Sequence, residues 1–127
     1  MCTAGLRSWV KKYLTENKKE ILKMISYASY ENYTELLSQG FALVDFYSES
    51  CGPCKILAKI LEDISDELPF VDIVKVNLTN FPQIGEDNDI GAVPTVLFVK
   101  DGEILDREVG LMERDEIMEK IGQHYYG

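Results

Sequence analysis

Two cysteines separated by two residues, Cys51-Gly52-Pro53-Cys54, stand between a short apolar run and an amphipathic segment. The run, residues 41–47 (FALVDFY), is rich in strand-forming side chains and predicts a central strand covered on both faces. After the motif, apolar residues recur at three- and four-residue spacing, which predicts a helix that begins at the cysteines. These residues are Ile56, Leu57, Ile60, Leu61, Ile64 and Leu68.

The position of the motif between a strand and a helix favours redox chemistry. Unpaired N–H groups and the positive end of the helix dipole stabilise a thiolate at Cys51, and the thiolate is the nucleophile. Cys54 is expected one turn further in and less exposed. Pro53 suits the first turn of a helix, and Gly52 allows close approach. Two incidental buried cysteines are the alternative without function.

A metal site is not expected at this pair of cysteines. Zinc needs two more ligands, and the sequence offers only Cys2 and His124, both at remote positions. A second closely spaced pair of ligands is missing from the sequence. His124 is instead expected to be a surface residue without a catalytic role.

The remaining hydrophobic pattern predicts alternating strands and helices. The order β-α-β-α-β-α-β-β-α predicts an α/β fold with a parallel crossover half and an antiparallel hairpin half. The predicted elements are a strand at 23–28, a helix at 30–39, strands at 41–47 and 70–78, a loop with a short helix at 79–89, strands at 95–99 and 103–109 around the turn Asp101-Gly102, and a helix at 114–125.

Charge and cysteine content suggest where such a chain works. The net charge of −9 argues against nucleic acid and anionic membranes as main partners. No apolar run approaches the length of a membrane span, and no secretory signal is recognisable. Three cysteines, an odd count, agree with a reducing compartment, so a cytoplasmic protein is expected.

The first residues differ in charge from the rest. Residues 1–24 carry six basic and two acidic side chains, with apolar residues at roughly helical spacing between the lysines. We therefore divide the chain into a basic amphipathic extension at residues 1–23 and a domain at residues 24–127. The extension could pack on its own domain, bind a partner or touch a membrane surface. Cys2 is expected to be a free thiol.

Residues 24–125 resemble the thioredoxin family in five blocks that agree in order and spacing. The blocks are residues 44–55 around the cysteines, Lys75-Val76-Asn77, Val93-Pro94-Thr95, residues 100–103 and Val109-Gly110. The resemblance implies the thioredoxin fold, a central mixed sheet of four to five strands flanked by helices. The extension would add a helical segment before it. Where family members commonly carry tryptophan, this chain has Tyr47 and Ser50.

The resemblance also implies catalytic roles. Cys51 would attack a substrate disulfide, and Cys54 would then displace the reduced product. Asp45 is a carboxylate within an apolar run, so desolvation should raise its pKa toward a value suited to accepting the Cys54 proton. The alternative is a hydrogen-bonded structural carboxylate. Lys75 matches the family lysine beside that aspartate and could tune it, unless it is an ordinary solvated lysine.

A substrate groove is implied by further matches. Pro94 corresponds to the family's cis-proline, which would leave the Val93 backbone free to bind an extended segment. Ala92 and Gly110 would border this groove, although both could be simple turn residues. Gly52 and Pro53 complete the expected substrate-binding set.

The implied function is that of a protein-disulfide reductase. It would need no bound cofactor beyond the redox-active disulfide Cys51–Cys54, and its electrons would come from an NADPH- or ferredoxin-linked thioredoxin reductase. Disulfide-containing client proteins are the expected partners, and a monomer is expected. Two alternatives remain: a dedicated reductant for one partner, and an interaction module in which the extension sets partner choice.

Overall fold

A computed structural model describes residues 25–126, which form five strands and four helices. The predicted helical extension and Cys2 lie outside the described residues. In chain order the elements are β1 (Ile25–Tyr27), α1 (Tyr33–Leu36), β2 (Phe41–Tyr47), α2 (Gly52–Glu67), β3 (Val71–Asn77), α3 (Pro82–Asp87), β4 (Thr95–Lys100), β5 (Glu103–Val109) and α4 (Arg114–Tyr126).

The five strands form one mixed sheet in the order β1-β3-β2-β4-β5. The first three strands of this order run parallel, and β4 and β5 join antiparallel. The predicted combination of a parallel half and a hairpin half is therefore confirmed. Strand β2 lies between β3 and β4 and contributes side chains to the apolar clusters on both faces of the sheet, so Phe41 through Phe46 are buried.

Helices cover both faces of the sheet because side chains alternate along each strand. Helices α2 and α4 cover one face, where Leu43, Ile73 and Phe98 belong to the same apolar cluster as Leu61 and Ile117. The shorter α1 and α3 cover the other face. Its cluster includes Ala42, Val44, Phe46, Val74, Val76, Leu97, Val99, Leu37 and Ile84.

The hairpin between β4 and β5 is fixed at its turn. Asp101 and Gly102 both have positive φ, +50° and +87°, the combination that two-residue hairpin turns require. The turn is also tied to the start of β2, since the Gly40 N–H donates to Asp101 Oδ1 at 2.9 Å and the Asp101 N–H donates to the Gly40 carbonyl at 2.9 Å.

Two details differ from the sequence predictions. Helix α1 covers only four residues because hydrogen bonds from Leu37 to Thr34 and from Ser38 to Glu35 tighten the chain right after it. Ile56 follows the apolar spacing of α2 but its side chain is 54% exposed. The buried stripe of α2 passes instead through Cys54, Leu57, Leu61, Ile64 and Ser65.

Candidate active site

The two cysteines form a disulfide at the N-terminus of α2. Cys51 is the N-cap with extended backbone angles, and its Sγ accepts a hydrogen bond from the Cys54 N–H at 3.2 Å. Pro53 lies in the first turn, where its missing N–H costs no hydrogen bond. After reduction, this N–H and the helix dipole would stabilise a thiolate on Cys51.

The two sulfur-bearing side chains differ in exposure. Cys51 is half-buried, while Cys54 is only 3% exposed. Another molecule can therefore reach the sulfur of Cys51 directly. The sulfur of Cys54 is accessible only to a group already bonded to Cys51. The expected difference between the two cysteines is present in the fold.

Behind the cysteines, Asp45 and Lys75 form a buried ion pair. The register of β2 and β3 places the two residues side by side, and Lys75 Nζ lies 3.3 Å from Asp45 Oδ2. The Asp45 side chain is fully buried, and the Lys75 side chain is 11% exposed. Lys75 is thus a partner of Asp45 and not an ordinary solvated lysine.

The pKa of Asp45 is raised. Burial is the main cause, and the Lys75 ammonium lowers this pKa only in part. Neither carboxylate oxygen accepts a well-formed hydrogen bond from any group within residues 25–126. A carboxyl of this kind holds its proton more tightly than one in water, which suits a group that accepts a proton.

A cleft of about 180 Å³ leads from the surface to Lys75 and to Cys54. Two aromatic rings, Tyr27 and Tyr47, and the carboxylate-bearing Glu49 contribute to its walls. The amide of Asn77 donates to Glu49 Oε2 at 3.0 Å and fixes that side chain. The pKa of Tyr47 is raised, mainly by burial and further by the nearby charges of Tyr27, Asp45 and Glu49. Its phenol therefore stays neutral at physiological pH.

The predicted groove residues gather at the same end of the sheet as the cysteines. Phe46 near the end of β2 pairs with Thr95 at the start of β4, and Thr95 pairs with Val109 at the end of β5. The preceding Val93-Pro94 peptide bond is cis. The Gly110 N–H donates to the Pro94 carbonyl at 2.8 Å, which ties the two segments together.

Ala92 and Gly110 have definite turn roles in this arrangement. The Ala92 carbonyl accepts from Thr95 Oγ1 at 2.7 Å, and its side chain is exposed. Gly110 has φ of +100°, a conformation that favours glycine. The turn interpretation of both residues is thus compatible with the predicted place beside a substrate groove.

His124 belongs to a polar cluster away from the disulfide. Its Nε2 lies 3.1 Å from Asp106 Oδ2, and Lys120 Nζ contacts Asp106 and Glu108, each at 2.8 Å. Within residues 25–126, no three His, Cys, Asp or Glu side chains are arranged to hold a metal ion. The same residues include no helix long and apolar enough to cross a membrane.

The sequence predictions missed Tyr27, Tyr47 and Glu49 as parts of the site. Tyr47 could have been recognised, because it is two residues beyond Asp45 and side chains two apart share a strand face. Tyr27 gave no local signal. It reaches the cleft because β1 pairs with β3 and places Tyr27 opposite Lys75.

Comparison with known proteins agrees with this geometry. The family model described as Thioredoxin matches residues 23–123. The thioredoxin of Chlamydia trachomatis serovar D is 38% identical over 101 residues, which cover 80% of this chain and 99% of that protein. The chain belongs to the thioredoxin family. The thioredoxin of Chlamydia caviae is 39% identical over the same shares of both chains.

Solved thioredoxin structures share the fold. A mutant thioredoxin from Halobacterium salinarum aligns with a TM-score of 0.74 at 23% identity, and the Malassezia sympodialis thioredoxin with 0.70 at 30% identity. Each match covers 80% of this chain and 90% of the other. With a disulfide at its Cys-Gly-Pro-Cys site, this member of the thioredoxin family is a thiol–disulfide oxidoreductase.

Proposed function

We propose that the protein reduces disulfide bonds of client proteins by dithiol–disulfide exchange. The observation that carries the proposal is the position of Cys51: half-buried, at the N-cap of α2, with its sulfur accepting the Cys54 N–H. The Cys-Gly-Pro-Cys motif that the chain shares with thioredoxins favours a reductase over an oxidase.

The reaction runs in two exchanges. The Cys51 thiolate attacks one sulfur of a client disulfide, which forms a mixed disulfide and releases the other client sulfur as a thiolate. The Cys54 thiolate then attacks the Cys51 sulfur, which closes Cys51–Cys54 and releases the second client sulfur. The client gains two electrons, and the protein is left oxidised.

Asp45 is the proposed acceptor of the Cys54 proton. Cys54 is buried, so its thiol needs a base within the protein before it can attack. Cys54 and Lys75 line the same cleft, and Lys75 pairs with Asp45, which supports a short path from the thiol to the carboxylate. Lys75 would stabilise Asp45 once it has ionised and lost its proton to solvent, ready for the next cycle.

Client recognition is proposed at the end of the sheet that carries the cysteines. The Val93 backbone before Pro94 would pair with an extended client segment, with Ala92, Gly110, Gly52 and Pro53 around it. Electrons would return from an NADPH- or ferredoxin-linked thioredoxin reductase. We further propose that the protein works as a monomer in the cytoplasm.

Reduction of insulin disulfides tests the main proposal. The wild-type protein with a reductant should accelerate precipitation of the insulin B chain, and Cys51→Ser should abolish the effect because no thiolate remains to attack. Equal rates for the wild type and Cys51→Ser would refute the proposal. The matched variant Cys54→Ser keeps the attacking thiol and should accumulate mixed disulfides with clients.

Residues 1–23 carry the second candidate function. Their basic character beside an acidic chain suggests that they choose a dedicated partner. Deletion of residues 1–23 distinguishes the two cases. Unchanged turnover of insulin and of cellular clients after the deletion supports general reduction, whereas loss of one trapped client supports a dedicated reductant or an interaction module.

A further inference from the structure

The Lys75 ammonium lies between a carboxylate and an aromatic ring. Its Nζ is 3.3 Å from Asp45 Oδ2 and 4.9 Å from the centroid of the Tyr47 ring. The second distance is within the range of cation–π attraction, which strengthens where water is excluded. Asp45 and Tyr47 are two residues apart on β2, so both side chains meet Lys75 on the same face of the sheet.

Lysine needs such a restraint to act on Asp45. Its four-carbon side chain is flexible, and it can turn its ammonium toward water wherever a path exists. The cleft beside Lys75 is such a path. The ion pair with Asp45 lacks good hydrogen-bond geometry, so the carboxylate alone holds the ammonium loosely. The Tyr47 ring is the second contact that keeps the ammonium inside.

We infer that Tyr47 is a positioning residue whose ring holds the Lys75 ammonium against Asp45, and that the resolving exchange by Cys54 depends on this contact. The inference rests on the proposed role of Asp45 as proton acceptor. Tyr47 does not itself touch the reacting sulfur atoms in this scheme. It acts through Lys75, which favours the ionised form of Asp45.

Other charged and titratable groups around the ion pair are accounted for. Tyr27 on β1, Glu49 after β2, and Cys54 and Lys55 on α2 line the same cleft as Lys75. Glu49 is engaged by Asn77 at 3.0 Å. Tyr27 stands opposite Lys75 in the β1–β3 register, yet among residues 25–126 the ring that lies over the Lys75 ammonium is that of Tyr47. Tyr27 therefore serves as a matched control.

The ionisation midpoint of Asp45 is the direct readout. It can be followed by the carboxyl carbon resonance of Asp45 against pH in the oxidised protein. Tyr47→Phe keeps the ring and should keep the midpoint. Tyr47→Leu frees the ammonium and should raise the midpoint by roughly one pH unit, a tenfold change in proton affinity. Tyr27→Leu should leave it unchanged. An unchanged midpoint in Tyr47→Leu, or an equal shift in Tyr47→Phe, overturns the inference.

A double-mutant comparison tests whether Tyr47 acts through the lysine. Lys75→Met should raise the Asp45 midpoint at least as far as Tyr47→Leu, and the combined variant should match Lys75→Met alone. Additive shifts overturn the inference. If Tyr47→Leu fails to fold, Tyr47→Met takes its place in both comparisons, because methionine removes the ring and keeps an apolar side chain.

The kinetic consequence separates this inference from the proposed role of Asp45. The pH profile for release of reduced client should move to higher pH in Tyr47→Leu by the same amount as the Asp45 midpoint. If Asp45→Asn leaves release unaffected, the proposed proton acceptor is wrong, while a shifted midpoint in Tyr47→Leu still supports the positioning by Tyr47. If the midpoint moves and the release profile of Tyr47→Leu does not, the link to the resolving exchange is overturned.

Discussion

Asp45→Asn keeps the shape of a buried side chain and removes its ability to ionise. In the wild type, an unfolded Asp45 loses its proton near pH 3.9, whereas burial raises the pKa of the folded carboxyl. Between these two pKa values, unfolding releases a proton. The contribution of the Asp45 carboxyl to the free energy of unfolding is therefore complete below the unfolded pKa. As the pH rises toward the folded pKa, this contribution falls by about 1.4 kcal/mol per pH unit. The asparagine variant has no such loss.

The size of the effect follows from the surroundings of Asp45. Its side chain is fully buried, and no group in residues 25–126 gives its oxygens a good hydrogen bond. Asparagine cannot ionise, and avoiding the desolvation of a buried charged group contributes about 1–3 kcal/mol. Lys75 loses its partner in the variant, but its ammonium can turn into the adjacent cleft. We expect a gain of about 1–3 kcal/mol near pH 7, or roughly 4–12 °C in Tm.

Thermal unfolding of the oxidised protein, followed by circular dichroism from about pH 4 to about pH 8, measures this effect. The Tm difference between Asp45→Asn and the wild type should grow with pH and almost vanish at the acidic end. Asp72→Asn is the matched control, since burial also raises the pKa of this half-buried carboxyl on β3. Asp72→Asn should raise the Tm in the same direction as Asp45→Asn, but by less. A pH-independent Tm difference for Asp45→Asn would show the reasoning to be wrong.

Three further variants test parts of the fold away from the disulfide. Gly102→Ala should lower the free energy of unfolding by about 1–2 kcal/mol, because φ is +87° there. Gly122→Ala, within α4, should raise it by up to about 1 kcal/mol. Changes of the same sign in the two variants, measured by urea denaturation, would contradict this. The pKa of Asp106 is lowered to about 2, mainly by the hydrogen bond that Lys120 donates and further by the hydrogen bond with His124. Asp106→Asn should therefore lower stability above about pH 4 by about 1 kcal/mol or less, and the difference should disappear as the pH falls through about 2; a constant difference in acid unfolding would oppose it.

Much of the fold could be predicted because the hydrophobic pattern and the turn chemistry agree. The apolar run of residues 41–47 is the buried central strand, and Asp101-Gly102 forms the predicted hairpin turn. Ile56 shows the limit. Helical spacing admits Ile56 and Leu57 equally as inward positions, and only the packing of α2 against the sheet decides which one is buried.

The candidate site also contains features that the sequence predicts and features that only the fold reveals. Asp45 could be predicted to be unusual because a carboxylate in an apolar run must be desolvated. The ring of Tyr47 over Lys75 could not be predicted with equal ease, since it requires the register of β2 against β3. The pairing of Tyr27 with Lys75 requires the topology of the whole sheet, because β1 and β3 are separated by three other elements in the chain.

The outer strand β5 affects how readily the protein aggregates through the edge of its sheet. An open strand edge can recruit a strand from another molecule and so begin aggregation. Here the pairing of β4 with β5 shifts register between Phe98 and Val99, which is a bulge that twists the edge away from flatness. Glu103, Asp106 and Glu108 add charge along the same strand. The edge is therefore a poor template for another chain.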